Sequence, residues 1–212
     1  MKQKILIAGA GAHCKVVLDL LLSGGVYEVA GLLDDGGAQS VLDVPVLGGD
    51  EQMEALFRAG IRCGFVAIGG NAARKRVTAR MESAGYEMVS LVSEHAVVSR
   101  FAELGAGSLV MPGAVVNAGS RVGRGCILNT NCSVDHDCRI GDFVHIAPGC
   151  ALSGTVTVGE TTFLGTGARV IDGISIGSAS MIGAGAAVVR DLPDCCTAVG
   201  VPARVIRQGD SI

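Results

Sequence analysis

The stretch "LNTNCSVDHDCRIGDFVHIAPGC", Leu128 to Cys150, decides the fold. An aliphatic residue returns in it every six positions: Leu128, Val134, Ile140, Ile146. Followed outward, the series runs Val98, Leu104, Val110, Val116, Val122, then on through Leu152, Val158, Leu164, Val170, Ile176, Ile182 and Val188 without a miss. Four residues after each aliphatic comes a small or β-branched residue: Ser108, Ala114, Ser120, Cys126, Cys132, Cys138, Val144, Cys150, Val156, Thr162, Ala168. A period of six with these two slots is the signature of a parallel β-helix built from hexapeptide repeats. Three hexads make one triangular coil, so about five coils should stack. The aliphatic fills the interior and the small residue fits beside it near a corner.

Composition agrees with a narrow interior. Apolar residues make up 49% of the 212-residue chain, yet aromatics are only 3%, Trp is absent and there are 32 glycines. The small slot also accounts for the repeat cysteines. Cys126, Cys132 and Cys138 are six apart and fall on different faces of the triangle, so they read as buried core filler rather than metal ligands. Cys195 and Cys196 lie past the last hexad and receive no role.

Residues 1 to about 90 follow another rhythm. "KILIAGAG" reads as a buried strand entering a glycine loop, and "HCKVVLDLLLSGG" as a helix with Val16 and Leu20 on its apolar face. "YEVAGLLDD" and "CGFVAIGG" are further strands. "GDEQMEALFRAG" reads as a helix with Asp50 as N-cap, and "NAARKRVTARMESAG" as one closed by Gly85. Alternating β and α predicts a small, Rossmann-like parallel sheet covered by helices. The expected organisation is an α/β domain over 1–92 and a β-helix domain with a C-terminal tail over 93–212.

Several classes are set aside. The net charge of −3 carries no basic footprint for nucleic acid. The opening "MKQKILIAGAGA" resembles a signal peptide, but its apolar run "ILIA" is shorter than the roughly 7–15 residues of a signal core. No run approaches the ~18 apolar residues of a membrane span. The expectation is a cytoplasmic chain whose cysteines are thiols. An NAD site is disfavoured, because Cys14 stands where GxGxxG needs its third glycine.

Within the repeat, "VDHDCR" places Asp135 and Asp137 where neighbouring hexads often carry glycine, with His136 between them. Pleat alternation points His136 outward. Either aspartate could hold one ring nitrogen and leave the other to take a proton. His145, nine residues on, is too far round to reach His136 within one chain.

Together these marks resemble the bacterial nucleotide-sugar acetyltransferases, which include UDP-4-amino-sugar N-acetyltransferases and sialic-acid O-acetyltransferases. They are "GAGAHCKVV" (Gly9 to Val17), "LLDD" (Leu32 to Asp35), "AIGGN" (Ala67 to Asn71), the hexads with "DHD", and "AVGVPARVI" (Ala198 to Ile206). The resemblance implies a left-handed coil, which the period alone does not give. It implies a homotrimer with active sites at subunit boundaries and acetyl-CoA as co-substrate, with no metal. It implies His136 as general base with Asp137 polarising it. Gly9, Gly11, His13, Asp34, Asp35, Gly69 and Asn129 fall on positions contacting the nucleotide-sugar substrate. His145, Gly154, Thr166 and Ala184 fall on acetyl-CoA positions. Ala12 and Cys14 depart from the usual loop. The implied activity is N-acetylation of a nucleotide-linked amino sugar, foremost a UDP-4-amino-4,6-dideoxy sugar. Alternatives are a GDP-linked amino sugar such as perosamine, or O-acetylation of sialic acid or CMP-sialic acid. A zinc lyase on the same scaffold would need three histidines, and the repeat has two. A non-catalytic nucleotide-sugar sensor is the remaining rival.

Overall fold

The computed structural model describes residues 2–209. It divides into two compact units, one ending at Leu91 and the other starting at Val92.

The first unit runs β1 (Gln3–Ala8), α1 (Ala12–Gly24), β2 (Tyr27–Leu33), β3 (Ser40–Val41), β4 (Val44–Pro45), α2 (Met53–Arg58), β5 (Cys63–Val66), α3 (Asn71–Ser83) and β6 (Glu87–Met88). Four strands form one parallel sheet in the order β2-β1-β5-β6. Ile5, Leu6 and Ile7 are all fully buried. Such a continuous apolar run marks a parallel strand covered on both faces. β3 and β4 add a small antiparallel ribbon that sequence patterning does not separate.

Two local expectations are corrected. The buried face of α1 is Cys14, Val17, Leu18 and Leu21, spaced by three and four as one helical stripe requires. Val16 lies outside that stripe and is exposed. Asp50 is not an N-cap: a 3₁₀ turn, Asp50–Gln52, precedes α2, and Gly49 stands at its start. The Asp50 carboxylate instead pairs with Arg80.

The second unit is a parallel β-helix of about six turns. Its repeat strands are two residues long, and from Val97–Val98 to Arg169–Val170 each pairs with the strand eighteen residues further on, as Leu109 with Ile127, Ser133 with Ala151 and Arg139 with Thr157. Three hexads per turn follow directly. The hexad aliphatics from Val110 to Val188 are all buried. Val98 and Leu104 are only half-buried, because each lies in the terminal strand of its face.

The small slot stitches turns together as well as filling space. Ser108 Oγ donates to the Gly123 carbonyl and accepts the Cys126 N–H, both at 3.0 Å. Thr162 Oγ1 does the same with Gly177 O (2.6 Å) and Ser180 N–H (3.1 Å). Repeat cysteines direct Sγ at carbonyls, as Cys150 does at Gly165 O (3.0 Å). Burial pushes the Cys132 thiol up to about 12, so it is no nucleophile at neutral pH.

The stack has more turns than the hexad count gives, because its ends leave the period. The final turn pairs Met181 with Thr197 and Ile182 with Ala198, two residues short of eighteen, and an antiparallel hairpin of Cys196–Val199 with Arg204–Gln208 closes it.

All eight cysteines are free thiols, and only Cys195 is not buried. In a native labelling experiment Cys195 is expected to react first, with the others reacting only on unfolding. Prompt reaction of a repeat cysteine would contradict its inward placement.

Candidate active site

His136 and Asp137 form the turn between the strands Ser133–Val134 and Arg139–Ile140. Asp137 sits in the left-handed region at φ 58°, a conformation Asp and Asn tolerate better than other non-glycine residues. From there its Oδ2 lies 3.0 Å from His136 Nδ1. Asp135 acts on the main chain instead. Its Oδ1 accepts the His136 N–H and an N–H of Asn117, each at 2.8 Å. Of the two flanking acids, Asp137 holds the ring and Asp135 holds the backbone beneath it.

Neighbouring turns are cut to fit this pair. A Cβ on Gly119 would collide with Asp137 Oδ1, and one on Gly154 would lie 2.5 Å from His136 Cε1 and Nε2. The imidazole therefore rests on the bare backbone of Gly154, one turn further along the stack. Asp172, another turn on, lies against the same glycine. Arg139 braces the corner, donating from Nη1 to Gly119 O (2.8 Å) and Cys138 O (3.1 Å). Sequence reasoning passes over Arg139 and Asp172; a column drawn every eighteen residues finds Asp172.

The hydrogen bond to Asp137 raises the His136 pKa above its ordinary 6.5; desolvation opposes it, and the charges of Asp135, Asp137 and Asp172 add to the rise. A carboxylate on Nδ1 fixes the tautomer and leaves Nε2 as the proton acceptor. The ring is exposed and can meet a substrate.

A second group sits on a different edge of the prism. Asn129 Nδ2 lies 3.1 Å from His145 Nε2, while Asn129 Oδ1 accepts the Thr130 N–H at 2.8 Å. That contact turns the amide NH₂ toward His145 Nε2. His145 is buried, edge-on to Phe163 at 5.1 Å between centroids. Thr166 and Ala184 occupy turns on this same edge, between Phe163–Leu164 and Arg169–Val170 and between Met181–Ile182 and Ala187–Val188. Of the four expected acetyl-CoA residues, Gly154 thus lies with His136, and the other three lie with Asn129.

In the first unit, the loops after β1 and β5 pack together. Gly9, at φ 104°, leaves no room for a side chain: its Cβ would meet Ile68 Cγ1 at 2.8 Å and Ala67 O at 3.2 Å. Gly11 caps α1 in extended conformation without a side-chain cap. His13 lies in the first turn of α1, with its side chain near Gly69. Burial, followed by the charge of Arg74, holds its pKa below the ordinary value. Asp34 Oδ2 accepts the Ala10 N–H (2.8 Å) and Oδ1 the Gly36 N–H (2.7 Å), so this carboxylate shapes the glycine loop. Asp35 is exposed and lies against Gly49.

Among the described residues no group of three or more His, Cys, Asp or Glu is arranged to hold a metal ion. No described helix is long and apolar enough to cross a membrane.

A hexapeptide β-helix carrying an oriented, exposed histidine, joined to a glycine-loop α/β unit, defines an acyltransferase of the hexapeptide-repeat class. Residues 4–81 match the family described as the PglD N-terminal domain. The whole chain is similar to PerB from Caulobacter crescentus, solved with CoA and GDP-perosamine: 44% identity over 96% of this chain and 97% of that one, TM-score 0.93. It is similar to the acetyltransferase domain of PglB from Neisseria gonorrhoeae, at 40% identity over 97% and 100% of the two chains, TM-score 0.92. WeeI from Acinetobacter baumannii matches at 26% identity over 97% and 100%, TM-score 0.83. Comparison with curated protein sequences found no match. The chain belongs to the hexapeptide-repeat nucleotide-sugar acetyltransferase family.

Proposed function

We propose that the protein transfers the acetyl group of acetyl-CoA to the amino group of a nucleotide-linked amino sugar, directly, in a ternary complex. The observation that carries this reading is the His136–Asp137 pair at 3.0 Å, seated on Gly154 in a chain of this family. The sugar nitrogen attacks the thioester carbonyl; the C–N bond forms as His136 Nε2 takes a proton from nitrogen. Collapse of the tetrahedral intermediate breaks the C–S bond, and the imidazolium returns its proton to the leaving thiolate. Asp137 stabilises the imidazolium between the two steps, as the acid of a serine hydrolase triad does for its histidine. Backbone N–H groups of a turn stabilise the oxyanion.

The nucleotide end of the acceptor is assigned to Gly9, Gly11, His13, Asp35 and Gly69, with Asp34 holding the loop. Asn129 is assigned to the acceptor group, and His145, Thr166 and Ala184 to acetyl-CoA. Because His136 with Gly154 and Asn129 with His145 lie on different edges, the complete site is assembled where one edge of a subunit faces the other edge of a neighbour. This favours a homotrimer, the oligomer that closes three such boundaries around one axis.

The similarity to PerB, solved with GDP-perosamine, sets that sugar beside a UDP-4-amino-4,6-dideoxy sugar as acceptor. Thiol release from acetyl-CoA tests the reading: it is expected with a nucleotide-linked amino sugar and absent without one. Release independent of any acceptor would contradict it.

The base works only when neutral, so activity falls as pH drops through the His136 pKa. With that pKa raised, the acid limb of kcat/KM is expected above 6.5. Asp137→Asn removes the leading cause of the rise, and its limb is expected at lower pH together with a reduced plateau. An unmoved limb would separate Asp137 from the base.

A further inference from the structure

The corner that carries His136 can be followed along the stack. Read every eighteen residues, its column is Ala118, His136, Gly154, Asp172, Arg190. His136 and Asp172 are two turns apart, about 9.6 Å of backbone at the spacing of neighbouring strands. Their side chains nevertheless converge. Gly154 is buried between them. The point where its Cβ would stand lies 2.5 Å from His136 Cε1 and Nε2 and 2.9 Å from Asp172 Oδ1. Nε2 and Oδ1 are therefore no further apart than those two lengths laid end to end. Among the described residues no hydrogen bond or ion pair joins them, and the Nδ1 side of the ring is taken by Asp137. The gap is spanned by a single nitrogen lying about 2.8 Å from each atom, an ordinary length for a charge-assisted hydrogen bond.

The charged groups around this gap are the carboxylates of Asp135, Asp137 and Asp172 and the imidazole itself. Asp135 is committed to Asn117 and the main chain, and Asp137 to Nδ1. Asp172 alone approaches the ring from its Cε1–Nε2 edge. Its Oδ1 lies 3.5 Å from Thr155 Oγ1, and Arg190, next in the column, makes no ion pair with it among the described residues. A carboxylate in this place favours a cation. An acceptor amine is mostly an ammonium at neutral pH, since model amines titrate between about 7.7 and 10.4. A hydroxyl is neutral there and gains far less from the charge.

We propose that Asp172 is the specificity-determining residue for the amino group of the acceptor: its carboxylate receives that group as an ammonium over Gly154, beside His136 Nε2, and so selects an amine over a hydroxyl. This role rests on the amino-sugar reading above and adds the residue that recognises its nitrogen. Before attack the ammonium gives up one proton, which Nε2 takes and, being exposed, passes to water. The neutral amine then attacks the thioester with Nε2 free for the second proton.

The test compares wild type with Asp172→Asn, Asp172→Ser and Asp172→Glu on the intact protein. The probes are GDP-perosamine and a UDP-4-amino-4,6-dideoxy sugar, each paired with an inhibitor that carries a hydroxyl in place of the amine. At neutral pH the uncharged variants are expected to raise KM for the amino sugar roughly tenfold, about the worth of one hydrogen bond to a charged group. Inhibition by the hydroxyl counterpart and KM for acetyl-CoA should stay near wild type. The ratio of variant to wild-type KM should shrink toward one at about pH 9.5, where less of the amine is charged. A loss of shape alone would not move that ratio. Asp172→Glu should recover part of the lost affinity. A folded Asp172→Asn with wild-type KM at neutral pH overturns the inference, as does a ratio that is the same at both pH values or an equal loss for the hydroxyl counterpart. If Asp172→Asn does not fold, Asp172→Ser is read in the same way. If neither folds, Asp172 serves the stack rather than the acceptor and the inference falls. A wild type that acetylates neither amino sugar overturns the amino-sugar reading itself and this role with it, which no Asp172 variant alone can do.

Discussion

Replacing His136 with Ala is expected to lower kcat by roughly 10² to 10⁴, the usual contribution of a positioned general base. The fold and KM for acetyl-CoA should be preserved. The reason for expecting so clean an effect is structural. His136 stands on an exposed corner whose turn is held by other groups: the Asp137 carbonyl side by Arg139, and the Asp135 carboxylate by Asn117 and the His136 N–H. Removing the imidazole empties the space over Gly154 and leaves Val134 and Cys138 in the core. Steady-state rates with thermal denaturation on the same preparation check it. Full activity in a properly folded variant would assign the proton transfer elsewhere.

The second large effect concerns the stack. Leu164→Ala is expected to destabilise the protein by about 2–5 kcal/mol, the range for truncating a fully buried leucine. Leu164 is 0% exposed and lies in register between Ile146 and Ile182. A narrow β-helix interior has few neighbours able to collapse into the void, so the cavity should persist. Thr157→Ala, on an outward position of the same stack, should change stability by less than about 0.5 kcal/mol. Chemical denaturation midpoints of the two variants provide the comparison. Similar midpoints would contradict the assignment of the hexad aliphatics to the interior.

The β-helix was readable because a solenoid repeats one constraint. Every sixth residue meets the same interior, and sixteen aliphatics in sequence leave no competing period. Reading failed where that constraint lapses. The last turn spans sixteen residues, so nothing periodic announces Cys196 and Ala198 as core. In the α/β unit, patterning located the strands and helices but not the buried stripe of α1, since Val16 and Val17 are chemically identical and only the packing separates them. Asp50 had the chemistry of an N-cap, but a 3₁₀ turn moved the helix start past it.

The site was readable in part. "DHD" stood out because Asp135 and Asp137 replace residues that are often glycine in neighbouring hexads, with a histidine between them, yet sequence could not say which aspartate faced the ring. Asp34 was read as a ligand group because acids follow the second strand in such folds. Its two backbone hydrogen bonds, one of them to Ala10 24 residues away, tie the loops together, a contact no local pattern encodes. Arg74 is one of several basic residues in "ARKRVTAR", and no local pattern separates it from the others. Only the fold shows that one of these charges turns inward.

The most direct test of the central claim is to identify the atom that becomes acetylated. Wild-type protein is incubated with acetyl-CoA and, in parallel, GDP-perosamine, a UDP-4-amino-4,6-dideoxy sugar and CMP-sialic acid, and each product is examined by NMR. The expected result is an amide on the amino carbon of a nucleotide-linked amino sugar, formed together with free CoA and lost in His136→Ala. An acetyl ester on a sialic acid hydroxyl, or no acetylated nucleotide sugar in any reaction, would contradict it.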